Sequence, residues 1–180
     1  FAVYGFNGTT TPNYRTSDEP TASRSTLVAE PTTQASGLSI SNPFEVSMTG
    51  FSWTDGNGSS RILVAKAGSA VDGFPADGTS YSYSTNFGSG SEIGTGNFVV
   101  WLGAGQPARI SSLTRDVVYH FRLFEFNGSG ATVNYNTSAA TGNPISQTTM
   151  AATPGSAASN LAVSAIGADA FTVTWTKGAT

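Results

Sequence analysis

Eleven carboxylates and a single histidine are the residues of this 180-residue chain best suited to chemistry. General acid–base catalysis needs carboxyl groups that share a pocket. Asp55, Asp72, Asp77 and Asp116 stand instead in turn contexts, where aspartate is favoured because its side chain bonds the nearby backbone. His120 alternates with Tyr119, Phe121 and Leu123, so those three are expected to face inward, and His120 and Arg122 to face solvent or a neighbouring strand. One histidine cannot assemble a histidine-rich metal site. The chain contains no Gly-x-Ser-x-Gly elbow, no His-Glu-x-x-His and no Gly-x-x-x-x-Gly-Lys phosphate loop. Gly88-Ser89-Gly90 and Gly103-Ala104-Gly105 lead into no helix and read as turns. Asp55-Gly56-Asn57-Gly58 has the alternating oxygens of a calcium loop but lacks its closing acid, and a hairpin turn explains it equally well. A more diffuse calcium site on Asp72 and Asp77 stays open, but no cofactor and no catalytic residue is expected.

Exposed aromatic rings are the remaining candidates, because flat rings stack on sugars. Trp101, Tyr81 and Tyr83 predict either buried cross-strand packing or a glycan-binding face. Asn7, Asn57, Asn127 and Asn136 each begin a triplet of the N-glycan acceptor type, and all four are read as turn residues.

The elements that would position these residues follow from composition and repetition. Charged residues make up 11% of the chain and the net charge is −3, with only two lysines, Lys66 and Lys177, which argues against a nucleic-acid surface. No apolar run approaches the roughly 20 residues of a membrane helix. Without cysteine there is neither a disulfide framework nor a thiolate metal site. High glycine, serine and threonine content with ordinary hydrophobic content favours short strands and many turns.

The sequence repeats itself. Phe1 to Gly8 aligns with Phe121 to Gly128, and Asn13-Tyr14 aligns with Asn134-Tyr135, at offsets of 120 to 121. Ala29-Glu30-Pro31 matches Ala152-Thr153-Pro154, Leu38 matches Leu161, and Phe51 to Thr54 matches Val173 to Thr176, at offsets of 122 to 123. Trp53 and Trp175 thus hold equivalent positions and are expected in cores. The predicted organisation is residues 1–28 as the last two strands of one repeat, 29–150 as a complete repeat, and 151–180 as the first two strands of the next. The chain starts at Phe1 and is read as an excerpt of a longer polypeptide.

In the complete copy, strands are predicted at Phe44–Thr54, Arg61–Ala67, Ser80–Ser84, Asn97–Leu102, Ala108–Leu113, Val117–Phe126 and, broken, Thr132–Met150. Glycine and asparagine turn signals separate them, and no segment carries a sustained 3.6-residue apolar stripe. The expected fold class is all-β, a sandwich.

Pro31 before Leu38, Trp53 in the second strand, and Leu113-Thr114-Arg115-Asp116-Val117-Val118-Tyr119 resemble a fibronectin type III domain. The resemblance implies an Ig-like sandwich in which Tyr119 forms the tyrosine corner, although Arg115-Asp116 stands where the family has Pro-Gly. Arg61 to Gly68, Asp77 to Tyr81, Gly94 to Val100 and Phe124 to Gly128 with Asn134-Tyr135 resemble an enlarged type III-like repeat of long secreted bacterial proteins exported by the type IX route. The resemblance implies a secreted or cell-surface location and a structural or adhesive, non-enzymatic role as stalk or filament. The alternative is a carbohydrate-binding or spacer module of a secreted hydrolase. Implied partners are neighbouring repeats, further copies in a fibre, and a glycan or cell-surface ligand, with no nucleic acid and no membrane span. The enlargement, Gly68 to Asn97, is expected to be an extra hairpin that extends one sheet and covers an edge. A recognition surface is the other reading.

Overall fold

Residues 1–18 and 20–179 are described by the computed structural model. Two-residue pairing, β1 (Phe6–Asn7) with β2 (Asn13–Tyr14), makes a short N-terminal hairpin. There follow β3 (Ser36–Pro43), β4 (Met48–Thr54), β5 (Ser60–Ala67), β6 (Phe98–Gly103), β7 (Arg109–Ile110), β8 (Val118–Asn127), β9 (Asn134–Tyr135) and β10 (Ile145–Thr148). A C-terminal hairpin joins β11 (Ser159–Ser164) to β12 (Thr172–Thr176). All ladders between these strands are antiparallel.

Burial explains how the central strands are layered. One sheet runs β3-β4-β7 and the other β10-β8-β5-β6, with β9 added to the end of β8. Leu38, Met48, Phe51, Trp53 and Ile110 of the first share one buried cluster with Leu63, Ala65, Tyr119, Phe121 and Leu123 of the second, consistent with a β-sandwich. Met48 and Phe51 are three residues apart, an odd spacing for one face of a strand. Gly50 between them takes φ +70 with no shift of register against β3, and a Cβ there would stand 2.0 Å from Ser41 Oγ.

β5 is buried on both faces. Leu63 and Ala65 face the inter-sheet core, while Ile62 and Val64 join Val99, Phe124 and Phe126 in a second cluster on the outer face of the same sheet. The segment Gly68 to Asn97 closes over that face, with Val71 and Ile93 buried in the cluster. Each such side chain contributes about 1.5–3 kcal/mol by leaving water. Asn97 fastens the cover, its Nδ2 donating to Asp72 Oδ1 at 2.8 Å and its Oδ1 accepting from Asp72 N–H at 3.2 Å. At Gly73 a Cβ would lie 1.7 Å from the Ile93 carbonyl oxygen, so glycine is required for the approach.

The expected extra hairpin is therefore corrected. No strand forms between Gly68 and Asn97, and the predicted Ser80–Ser84 strand is absent. Alternation there serves packing without a ladder, because Tyr81 turns to the outer cluster while Tyr83 meets Trp101. An edge is nonetheless sealed. Phe87 N–H and Ser111 N–H bond to Ser111 and Thr85 carbonyls, Ser84 N–H bonds to Val99, and the Phe87 ring stands edge-on to Tyr119 at 5.0 Å. The segment thus bridges the flanks of β6 and β7.

In the outer cluster Tyr135 lies 5.2 Å from Phe126, centroid to centroid, and its hydroxyl donates to the Thr79 carbonyl at 3.1 Å. Burial first, then the neighbouring Tyr81 and Asp77, push its pKa up to about 12. The neutral phenol is the form the fold favours, so its stabilisation is complete below the unfolded value near 10 and is lost as pH rises through about 12. Thermal melts across that range should fall in the native chain and flatten in Tyr135→Phe.

Both terminal hairpins reuse pairings of the central unit. Phe6↔Tyr14 and Asn7↔Asn13 repeat Phe126↔Tyr135 and Asn127↔Asn134, with Gly8 and Gly128 at φ +94 and +80. Ser159↔Thr176, Ala162↔Thr174 and Val163↔Val173 repeat Ser36↔Thr54, Ser39↔Ser52 and Ile40↔Phe51, including the bulge, whose left-handed residue is Asn160 in one and Gly37 in the other. Trp175 is 61% exposed where Trp53 is 9%. The core role expected of Trp175 is not met, because among the described residues no second sheet faces β11–β12.

Candidate functional site

Residues 28–34 run into the central unit without joining a strand, so their backbone groups need partners from elsewhere. Asparagines supply them. Asn134 Nδ2 donates to the Val28 carbonyl, Asn127 Nδ2 to Ala29 and Asn136 Nδ2 to Pro31, each at 2.9 Å. Asn57 accepts from Thr33 N–H and donates to Thr32 Oγ1, both at 2.9 Å. Val28 N–H reaches the Thr132 carbonyl at 3.0 Å. Gln34 then enters the interior, its Nε2 donating to the Asn136 carbonyl and its Oε1 accepting from Glu125 N–H. Three of the asparagines that begin glycan-type triplets, Asn57, Asn127 and Asn136, belong to this clamp.

The outgoing segment is held at the opposite connection. Thr149 Oγ1 donates to the Thr114 carbonyl at 2.7 Å, and Met150 N–H bonds the Phe44 carbonyl at 3.1 Å. Glu45 Oε1 accepts from both Thr153 N–H and Thr153 Oγ1, at 2.7 and 2.6 Å. Arg115 lies 3.4 Å from the other carboxylate oxygen. The Thr153 hydroxyl bond, then its amide bond, hold the Glu45 carboxyl below the ordinary range.

A buried charge cluster underlies the incoming clamp. Glu125 is fully buried and accepts four bonds, from Gly56 N–H and Arg61 Nε at one oxygen and from Gly58 N–H and Arg61 Nη2 at the other. Arg61 Nη1 meets the Ala104 carbonyl at 2.6 Å and Asp55 Oδ1 at 2.9 Å. Asp55 also accepts from Trp53 Nε1 at 2.9 Å. A Cβ on Gly56 would fall 2.2 Å from the Thr33 carbonyl oxygen, which explains the glycine. The Asp55 to Gly58 turn thus cradles the Glu125 carboxylate, with the Arg61 guanidinium as the cation between Glu125 and Asp55.

The other candidates are dispersed. Asp72 is engaged by Lys66 Nζ at 2.6 Å and by Asn97, and these bonds, the lysine's first, lower its pKa. Asp77 accepts from Tyr135 N–H at 2.8 Å, and Asp116 occupies a turn at φ +55. Among the described residues no three metal-type side chains gather. His120 and Arg122 are half-buried, and the Arg122 guanidinium stacks 4.7 Å from the Phe74 ring. Tyr119 is buried, its hydroxyl accepting from Thr114 N–H at 2.8 Å. The proposed three-ring face is not assembled. Tyr83 stands edge-on to Trp101 at 5.2 Å, but Tyr81 packs on Tyr135 and accepts from Ala76 N–H.

Compared with protein-family models, curated proteins and solved structures, the chain matches none.

Proposed function

We propose that this chain is part of a tandem array of fibronectin type III-like sandwiches in a long secreted or cell-surface protein, with a structural or adhesive role and no catalysis. The observation that carries the reading is the reuse of one register: both terminal hairpins repeat the strand pairings of the central unit, down to the bulge at Gly37 and Asn160. The seven strands β3 to β8 and β10, the Tyr119 hydroxyl bond to the Thr114 amide and Trp53 between the sheets support the type III assignment. The carboxylates of Asp55, Asp72 and Asp77 bond neighbouring N–H groups and cations, which is structural work. Placement outside the cell follows from the sequence resemblance alone.

Electron microscopy of the native protein tests the reading, with an axial period of one repeat as the expected result. Glycan-array binding that disappears in Trp101→Ala would instead favour a carbohydrate-binding module.

A further inference from the structure

The incoming and outgoing clamps act on the same stretch of sequence in successive repeats. Leu27 to Pro31 correspond to Met150 to Pro154 at a constant offset of 123. On the outgoing side the repeat takes the amides of Met150 and Thr153, the Met150 carbonyl and the Thr153 hydroxyl. On the incoming side it takes the Val28 amide and the carbonyls of Val28, Ala29 and Pro31. Transferred to one linker, the incoming set becomes the Ala151 amide and the carbonyls of Ala151, Ala152 and Pro154. The two sets share no atom.

We propose that each linker of the array is gripped by both flanking repeats at once, Phe44 and Glu45 of the preceding repeat holding the Met150 and Thr153 amides while Thr132 of the following repeat takes the Ala151 amide and Asn127, Asn134 and Asn136 of that repeat hold the carbonyls. The inference rests on the tandem-array reading. Its consequence is a junction of fixed orientation, in which the surface a repeat offers its neighbour is a row of side-chain amides facing an extended backbone. Such bonds are individually worth about 1 kcal/mol. Together they remove the freedom that a linker of this length would otherwise have. The sequence bears the same mark at its other end, since Asn7 and Asn13 stand where Asn127 and Asn134 do. The grip is not identical at every junction, because Glu30 replaces Thr153 and cannot repeat the hydroxyl bond.

Ala151 decides the matter, because its amide has no protein partner among the described residues of this chain. A chain of residues 1–154 followed by residues 32–180 carries two whole repeats around one linker. Amide exchange at Ala151 should slow by at least about tenfold relative to the 180-residue chain, with Met150 and Thr153 slow in both. Asn134→Ala in the second copy removes the bond to the Ala151 carbonyl and should speed Ala151 amide exchange by loosening the segment that the Thr132 carbonyl of that copy holds, and Glu45→Ala in the first should release Thr153 alone. An unchanged Ala151 rate in a protein whose two repeats are folded overturns the double grip and leaves the array reading intact, since that depends on the native period. The 180-residue chain supplies an independent check: free-peptide exchange at Val28 or at Thr153 would mean that a half-clamp does not form, and the proposal would fall.

Discussion

Arg61→Ala should lower the unfolding free energy by about 3–5 kcal/mol and the melting midpoint by roughly 10 °C or more. The substitution removes both guanidinium contacts to Glu125, a carboxylate with 0% exposure, and leaves it with the Gly56 and Gly58 amides alone. A buried charge stripped of its counter-ion costs far more than the intact pair contributes. The loss also frees the Ala104 carbonyl and Asp55, so the turn that carries Asn57 should loosen with it. Arg61→Met combined with Glu125→Gln removes both charges while keeping an acceptor for a glycine amide, and should recover part of the loss. Urea and thermal unfolding of the three proteins measure this directly. A loss below about 1 kcal/mol for Arg61→Ala would mean that water reaches the pair.

Phe124→Ala is the second large effect, about 3–5 kcal/mol. Phe124 lies on the face of β8 that looks away from the inter-sheet core, yet it is fully buried because the Gly68 to Asn97 segment lies over it. The Phe74 ring meets it edge-on at 5.9 Å. Val118, near the start of the same strand, is 39% exposed, and Val118→Ala should change stability by no more than about 0.5 kcal/mol. The contrast separates a face cover from a hairpin attached at the sheet edge. With a hairpin, Phe124 would be a surface residue and both substitutions would be mild.

Strand positions were legible where alternation or a dense apolar run marks them, as in Arg61–Ala67 and Val117–Phe126. The bounds of β3, the strand implied before Trp53, were not legible because Ser-Gly-Leu-Ser-Ile-Ser-Asn-Pro offers only two apolar residues, and its pairing is broken by the Gly37 bulge. The Tyr81/Tyr83 alternation misled for a physical reason: period two reports two sides of an extended segment, and here the two sides meet different clusters with no neighbouring ladder. The continuous burial of Arg61–Ala65 implies that something covers both faces of β5, a signal present in Ile62-Leu63-Val64 but ambiguous by itself.

The clamp was the least legible part. Asn57, Asn127 and Asn136 fit turn chemistry well, and nothing local says that their amides reach a segment about 100 residues away along the chain for two of them. What could have found Asn127, and with it Asn134, is the recurrence of Asn7 and Asn13 in the N-terminal copy, since turn roles alone do not require asparagine at both places, whereas Asn136 aligns with Arg15. Glu125 carried a comparable signal, a carboxylate between Phe124 and Phe126 in the middle of an apolar strand.

The most direct test of the array is the size of the native polypeptide, captured with an antibody raised against residues 29–150 and measured by intact mass. The account predicts a chain far larger than 18.5 kDa that contains further repeats of about 120 residues. A native polypeptide of 18.5 kDa would contradict it.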